Sequence, residues 1–315
     1  MKRWRYLAST ACLLLSALLT VPAAAYNQPL GLNLGFTSFV DGAPPAGPGF
    51  YFEEYVQYFT ADKFSDPGFP DDGAEVDAWV SLSQFVYQSN TPVLLGGKWG
   101  LNVMVPYVWI DAAPSTSLPD NAAGIGDVLV GPYLQWDPIM GANGPVLMHR
   151  VEFQMIFPTG DYDDEAVLNP SSNAFSFNPY WAGTYFITPK WTVTTRAHYL
   201  WNGENDDPFV GFGLDEIQAG EAVHANFATS YELIPKQLRV GLNGYWLKQI
   251  SATEGTPAGG SSRDLHDDEM VLAVGPGALL SLSQNTHLFF NAYFETETDS
   301  RPEGERFVLR FVHHF

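Results

Sequence analysis

The sequence predicts an all-β fold: a transmembrane antiparallel β-barrel of about twelve strands, with a plug-like segment before the first strand. Three observations predict it. Apolar side chains recur at every second residue, which is the period of a strand and not of a helix. Short and long connections alternate between the strands, as in bacterial outer-membrane barrels. The last strand carries Phe307, Leu309 and Phe311 at alternate positions before the terminal Phe315.

The clearest strand covers residues 150–157, in which Arg150, Glu152 and Gln154 alternate with apolar residues. One face of such a strand is apolar and the other is charged or polar. A soluble sandwich also alternates, but its outer face usually carries many Lys and Glu residues, which are scarce here. The predicted barrel spans residues 49–315, and its twelve strands start approximately at Gly49, Val76, Trp99, Asp127, Leu147, Phe175, Trp191, Gln218, Leu238, Met270, His287 and Glu305.

The predicted connections differ in length according to their position. Those after the sixth, eighth and tenth strands are short, at residues 188–190, 234–237 and 284–286. Those after the odd-numbered strands are long, at residues 61–75, 110–126, 159–173, 203–216, 251–268 and 297–304. Because periplasmic turns are short and external loops are long, this order places the N-terminus in the periplasm.

Residues 1–25 have the organisation of a secretory signal peptide, with a basic start, an apolar stretch and small residues before a predicted cut after Ala25. The apolar stretch ends at Pro22 and is far shorter than the ~20 residues that a membrane-spanning helix needs. The single cysteine, Cys12, lies within this leader. We therefore expect a mature chain without disulfides, cysteine-ligated metals or a cysteine nucleophile.

The composition excludes several classes of protein. Fifteen Lys and Arg residues stand against 35 Asp and Glu residues, a formal charge of -20. Such a chain repels a phosphate backbone, so we expect no nucleic-acid partner. A hydrophobic fraction of 46% excludes a disordered chain.

Polar residues on the polar faces of the strands are predicted to line a polar lumen. They either form the pore constriction and contact ligands, or brace the wall through pairs between neighbouring strands. These residues are Arg150, Glu152, Gln154, Arg196, His198, His224, Asn226, Arg239, Asn243, Asn291 and Arg310.

The third long connection carries four closely spaced carboxylates, Asp161, Asp163, Asp164 and Glu165. A hard cation such as Ca²⁺ prefers several carboxylate oxygens, so these residues are candidate metal ligands. Their spacing does not match an EF-hand loop. The alternative is a solvated outer rim of mutually repelling charges.

The sequence predicts no catalytic residue. It contains no G-x-S-x-G nucleophile elbow and no H-E-x-x-H zinc motif. Apart from the adjacent pair His313 and His314, the seven histidines show no spacing typical of metal ligands. We therefore expect a protein that is not an enzyme, with Ca²⁺ at the acidic loop as the one cofactor to consider.

Several blocks resemble a known family: TSFVDGAPP at residues 37–45, GDVLVGPYLQW at 126–136, FPTGDY at 157–162 and NPY at 178–180. They are similar to the outer-membrane family linked to meta-pathway phenol degradation, across nearly the whole mature chain. The resemblance implies a barrel transporter for aromatic or other hydrophobic compounds. That family is also similar in outline to outer-membrane fatty acid transporters, in which an N-terminal segment plugs the barrel.

Residues 26–48 are the candidate plug, because they precede the first strand and carry apolar side chains without a partner strand. These are Leu30, Leu32, Leu34, Phe36 and Phe39. A periplasmic tail is the alternative.

Together these features predict an outer-membrane channel for the passive uptake of small hydrophobic or aromatic compounds. A general porin for polar solutes is the first alternative, and a structural or surface barrel without a transport role is the second. The expected partners are outer-membrane lipids and lipopolysaccharide, the apolar or aromatic solutes, and the barrel assembly machinery, which reads a terminal residue such as Phe315.

Overall fold

The structure is a computed structural model that describes residues 28, 34–44, 46–64, 75–112, 122–266 and 269–315. The predicted leader, together with Leu30 and Leu32, lies outside the described residues. Twelve long strands form the main sheet. They are β1 Gly49–Phe64, β2 Val76–Leu94, β3 Gly97–Ala112, β4 Val128–Gln135, β5 Gly144–Phe157, β6 Ser176–Phe186, β7 Trp191–Asn202, β8 Ala222–Ile234, β9 Leu238–Gln249, β10 Met270–Ser281, β11 Thr286–Asp299 and β12 Pro302–His314.

The main sheet closes on itself. Each strand pairs antiparallel with the next strand along the chain, and β12 pairs with β1 over the register from Tyr51↔His314 to Phe64↔Pro302. A closed sheet has no free edge, and it satisfies the backbone polar groups that a bilayer cannot satisfy. The predicted twelve-stranded antiparallel barrel is confirmed. Within the described residues, no helix is long and apolar enough to cross a membrane.

The two faces of the barrel wall differ in polarity, as β7 illustrates. Its exposed positions include Trp191, Tyr199 and Trp201, whereas Arg196 and His198 on the other face are buried. Apolar residues therefore face the lipid and polar residues face the lumen, which is the reverse of a soluble domain. Large exposed aromatic side chains lie near both ends of the strands, where the two membrane interfaces fall. They include Phe50, Trp99, Trp191 and Tyr231 at the periplasmic end, and Trp79, Trp109, Trp201 and Phe294 at the outer end.

Glu54 on β1 is a carboxylate on the lipid-facing side of the wall. It accepts hydrogen bonds from Ser81 Oγ and Ser83 Oγ of β2, both at 2.7 Å. A charged side chain is costly at this depth unless its oxygens are satisfied. The two serines supply the donors that lipid lacks.

The alternation of connections is correct except after β11. Residues 297–304 are not a long loop, because β11 continues to Asp299 and β12 begins at Pro302. The turn between them consists of Ser300 and Arg301, and Ser300 adopts a φ of 56°. The ladder with β1 continues through Lys63↔Glu303, so the predicted strand start at Glu305 is three residues late.

The long outer connections build a second, smaller sheet. Its four strands are Glu204–Asn205, Leu214–Gln218, Thr253–Pro257 and Arg263–His266, with a short 3-10 turn at Val210–Phe212. The predicted start of the eighth strand at Gln218 is therefore wrong, because Gln218 ends a strand of this outer sheet. Two further short strands pair with barrel strands, Ala122–Ile125 with β3 and Ile139–Gly141 with β5.

Candidate functional site: the barrel lumen

Residues 34–44, hereafter the lumen segment, are in contact with the inner face of the barrel. Leu34, Phe36 and Phe39 are buried, with 4%, 7% and 2% of their surfaces exposed. A Cβ on Gly42 would lie 2.3 Å from the carbonyl oxygen of Met148 in β5, so this close approach requires glycine. The backbone of the segment is hydrogen-bonded to side chains of five strands. Three of its amides donate: Gly35 N to Asn226 Oδ1 (2.8 Å), Val40 N to Thr194 Oγ1 (3.1 Å) and Gly42 N to Thr184 Oγ1 (2.9 Å). Two of its carbonyls accept: Gly42 O from Gln135 Nε2 (3.1 Å) and Leu34 O from Arg306 Nη1 (3.2 Å).

Asp41 anchors the lumen segment by ion pairs. Arg196 donates to both of its carboxylate oxygens, from Nε and Nη2, each at 2.8 Å. Arg150 Nη2 lies 3.3 Å from Asp41 Oδ1. Burial raises the pKa of the Asp41 carboxyl, but the two guanidinium groups outweigh burial and hold the pKa below the usual value of an aspartate. The carboxylate is therefore ionised at neutral pH.

Glu152 lies beside this anchor and is bound to neutral donors. Tyr180 Oη donates to Glu152 Oε2, and Asn102 Nδ2 donates to Oε1 at 3.0 Å. The Arg196 guanidinium lies over the ring of Tyr180, 4.2 Å from the ring centroid. Gly131 on the neighbouring β4 makes room for Glu152, since a Cβ there would lie 2.2 Å from Oε1. The carboxylate, the phenol and the two arginines thus form one charged cluster.

A second charged pair lies where the barrel closes. Arg310 of β12 contacts Glu53 of β1, with Nη2 at 2.6 Å and Nε at 2.9 Å from Oε2. Tyr55 Oη also donates to Glu53 Oε2, at 3.2 Å. This pair braces the β1–β12 seam from the inside.

His198 and His224 stack face to face in the lumen, with ring centroids 4.0 Å apart. Both rings approach Asn178 Oδ1, at 3.1 Å from His198 Nδ1 and 3.0 Å from His224 Nε2. Asn178 Nδ2 donates in turn to Gln154 Oε1 at 2.9 Å. These four side chains form a hydrogen-bonded belt along β5 to β8.

The structure places all eleven predicted lumen residues on the inner face. Four of the eleven have not been described above. Asn226 accepts a hydrogen bond from the Gly35 amide, and Arg239 lies near the β8–β9 turn. The side-chain amide oxygens of Asn243 and Asn291 lie on either side of Gly277. Their participation in conduction remains a prediction. Sequence reasoning missed Asp41, Glu53, Asn178 and Tyr180. Asn178 and Tyr180 have the same parity as the inward-facing residues of their strand, and this parity is the sequence signal for them.

The lumen contains an apolar cluster and a cavity. Fifteen buried apolar side chains form the cluster, hereafter the apolar layer, which runs from the middle of the barrel to its outer end and includes Leu34 and Phe36 of the lumen segment. The belt of Gln154, Asn178, His198 and His224 lies beside it on the wall. Wall residues of this layer include Leu129, Ile156, Leu200, Leu247 and Val271, each within two residues of the outer end of its strand. Toward the periplasmic end, a cavity of about 270 Å³ lies against Phe39 and Asp41, and both charged and aromatic side chains line it. We call it the inner cavity.

The four candidate calcium ligands are not gathered into a cation site. Asp161 Oδ2 accepts the backbone amide of Ile125 at 2.9 Å, and Asp163 Oδ1 accepts that of Glu165 at 3.0 Å. Over the described parts of the chain, no three His, Cys, Asp or Glu side chains come close enough to share a metal ion. The geometry therefore gives no support to calcium at Asp161, Asp163, Asp164 and Glu165.

Two of the sequence blocks meet at the outer end of the barrel. Asp127, from the GDVLVGPYLQW block, is buried and accepts hydrogen bonds from residues 160–172. In return, Thr159 Oγ1 accepts the amide of Val128 at 3.1 Å. The bonds to Asp127 come from Gly160 N (3.1 Å), Ser171 Oγ (2.6 Å), Ser172 N (2.9 Å) and Ser172 Oγ (2.9 Å). We call this contact the outer clasp, since it fixes the third outer connection to β4.

A closed barrel with an apolar outer face and a polar lumen defines an integral outer-membrane β-barrel protein. The chain belongs to the family described as "Putative MetA-pathway of phenol degradation", which it matches over residues 59–311. The family resemblance seen in the sequence blocks is thereby confirmed. No curated protein matches the sequence.

Solved structures share the fold. An outer membrane channel from Pseudomonas putida F1 has a TM-score of 0.74 at 17% identity, covering 88% of this chain and 98% of that one. The translocator domain of the autotransporter NalP from Neisseria meningitidis has a TM-score of 0.52 at 10% identity, covering 87% and 91%. A deletion mutant of the TodX monoaromatic hydrocarbon channel also has a TM-score of 0.52, at 9% identity, covering 86% and 91%.

Proposed function

We propose that the protein is an outer-membrane channel for the passive uptake of small hydrophobic or aromatic compounds. The observation that carries this proposal is the apolar layer. It reaches the outer end of the barrel, where a solute arrives, and Leu34 and Phe36 of the lumen segment pack within it. The TodX channel, which shares the fold, is a monoaromatic hydrocarbon channel, and the family description refers to phenol degradation.

In this proposal Leu34 and Phe36 occupy the place that an apolar solute takes during passage. Burying one ring or branched side chain contributes about 1.5–3 kcal/mol, so a solute of that size can replace them at little net cost. The charged contacts of Asp41 hold the rest of the segment across the lumen and exclude ions. The segment thus acts as the plug that the sequence suggests.

A porin for polar solutes is the second candidate, and the polar lining of the inner cavity favours it. An enzyme is not favoured, because the solved structures that share the fold are described as channels or as a translocator domain. The proposal therefore assigns no catalytic residue and no cofactor.

The proposal also includes partners at both membrane surfaces. Phe315 is 74% exposed, its amide donates to Phe50 O at 3.0 Å, and its ring contacts that of His313 edge-on, so the terminal side chain lies exposed at the end of β12. This orientation suits recognition by the barrel assembly machinery. The acidic outer connections face the lipopolysaccharide leaflet.

Flux into liposomes that carry the refolded mature protein tests the proposal. With lipopolysaccharide in the outer leaflet of these liposomes as the barrier to apolar solutes, we expect toluene to enter about tenfold or more faster than without the protein, because the apolar layer receives its ring. A sugar of similar size and small ions should show no such acceleration. Equal acceleration of sugar and ions would indicate a porin, and acceleration of no solute would indicate a structural barrel.

A further inference from the structure

The inner cavity concentrates charged side chains of both signs. Five cationic residues line it, Arg150, Arg196, Arg239, Arg310 and Lys236, together with four carboxylates, Asp41, Glu53, Glu152 and Glu232. The whole chain has only 15 Lys and Arg residues against 35 Asp and Glu residues. This concentration in one cavity requires a physical explanation.

Ion pairs inside the protein account for only part of this charge. Arg310 is paired with Glu53, and Arg196 with Asp41. Arg150 shares Asp41 at the longer distance of 3.3 Å, and its Nε is buried without a hydrogen-bond partner. The Arg150 guanidinium therefore keeps one buried donor without a partner.

Arg239 makes no ion pair within 4 Å among the residues that the structure describes, although Glu232 lies opposite it in the β8–β9 register and lines the same cavity. Its Nη1 donates to Thr192 Oγ1 at 3.0 Å, to Ser230 Oγ at 3.2 Å and to Lys190 O at 3.2 Å. All of these acceptors are neutral, and Nη2 and Nε are left for another partner. The residue is 9% exposed, and its guanidinium borders the cavity. A bound anion there would form charge-assisted hydrogen bonds with the free donors.

The other lining residues select an aromatic body for that anion. Phe39, Tyr51, Tyr133 and Phe289 all line the cavity. Two of these rings already lie beneath guanidinium groups, with Arg310 at 4.8 Å from the Phe289 centroid and Arg150 at 5.9 Å from that of Tyr133. A small molecule that carries both a flat ring and a carboxylate matches this cavity. Its ring can pack against the aromatic side chains, and its carboxylate can bind an arginine.

We propose that the inner cavity binds an aromatic monocarboxylate, with its carboxylate on Arg239 and its ring against the aromatic wall. This assignment rests on the proposed channel function and names one class of its solutes. The negative charge of the outer connections is too distant to repel an anion at Arg239. Arg239 lies at one end of β9 and Gln249 at the outer end, about 30 Å apart along the strand. The field of exposed charges is screened within about 8 Å at physiological ionic strength.

Equilibrium binding to the refolded mature protein in detergent tests the assignment, with benzoate, the neutral benzamide and acetate as probes. We expect benzoate to bind at least about tenfold more tightly than benzamide or acetate, because a charged hydrogen bond and a ring contact are both needed. Arg239→Gln should weaken benzoate binding by about tenfold or more. Arg263→Gln, a matched change at an exposed residue of the outer sheet, should leave it unchanged.

Equal binding of benzoate and benzamide would overturn the assignment, as would full benzoate affinity in Arg239→Gln. If Arg239→Gln does not refold, Arg239→Lys keeps the charge. The benzoate affinity of that variant should fall with added salt, and a salt-independent affinity would count against an ionic contact. Toluene flux separates the two proposals. Flux without benzoate binding would refute only the carboxylate site, and loss of both would refute the channel.

Discussion

Replacing Asp41 with alanine should convert the closed barrel into one that conducts ions. The change removes the carboxylate that binds Arg196 through two hydrogen bonds and Arg150 through a third contact. Removing one partner of a buried ion pair costs about 3–5 kcal/mol. Since about 1.4 kcal/mol corresponds to a tenfold change in an equilibrium, the fraction of molecules with the lumen segment displaced should rise by about a hundredfold or more.

Single-channel recording in planar bilayers measures this effect as an increase in open probability. Asp137→Ala is the matched control, because Asp137 is an exposed aspartate whose ion pair with Lys98 lies outside the lumen. The control should conduct as the unaltered protein does. An Asp41→Ala protein that conducts no more than Asp137→Ala would mean that the ion pairs do not hold the segment.

The pH dependence follows from the same carboxylate. Its pKa in the folded state lies below the usual value, so the ion pairs stabilise the docked segment fully at neutral pH. This stabilisation is lost only as the pH falls through that low pKa. The unaltered protein should therefore keep the same open probability between pH 7 and pH 5.

Replacing Asp127 with alanine should lower the free energy of unfolding by about 3–5 kcal/mol, because four donors of the outer clasp lose their common acceptor. The bond from Ser171 is buried and the other three are partly buried, and together they hold the third outer connection against β4. Urea unfolding of the refolded protein in lipid vesicles measures the change.

Asp164→Ala is the control for the clasp. Asp164 is an exposed residue of the same connection, so its replacement should change the free energy of unfolding by less than about 0.5 kcal/mol. Asp127→Ala within the same small range would show that the clasp does not stabilise the barrel.

Strand positions and the two faces of the wall were predictable because they depend on a local period of two. Each of the eleven polar residues assigned to the lumen could be placed there because alternate positions along its own strand face the same side of the wall. The short turn at Ser300 and Arg301 was not predictable in this way, because the acidic composition of residues 297–304 is typical of a loop. Only the ladder between β1 and β12 shows that the strands continue.

Two of the site residues, Asp41 and Glu53, could not be identified from the sequence, for different reasons. Asp41 has no local periodic signal, and the signal for Glu53 is ambiguous. Asp41 lies in a segment without a regular period, and its partners are more than one hundred positions away along the chain. Glu53 and Glu54 are adjacent carboxylates, so the pattern does not indicate which one faces the lumen. In the folded barrel Arg310 pairs with Glu53, whereas Ser81 and Ser83 satisfy Glu54 on the lipid side.

The central claim is that the N-terminal segment closes a channel whose apolar layer receives apolar solutes. Deletion of residues 26–47 tests it most directly, with ion conductance and the flux of toluene and a sugar measured on the same refolded protein. We expect the deletion to raise ion conductance and sugar flux and to reduce the preference for toluene over the sugar. Unchanged conductance and unchanged preference would contradict the account.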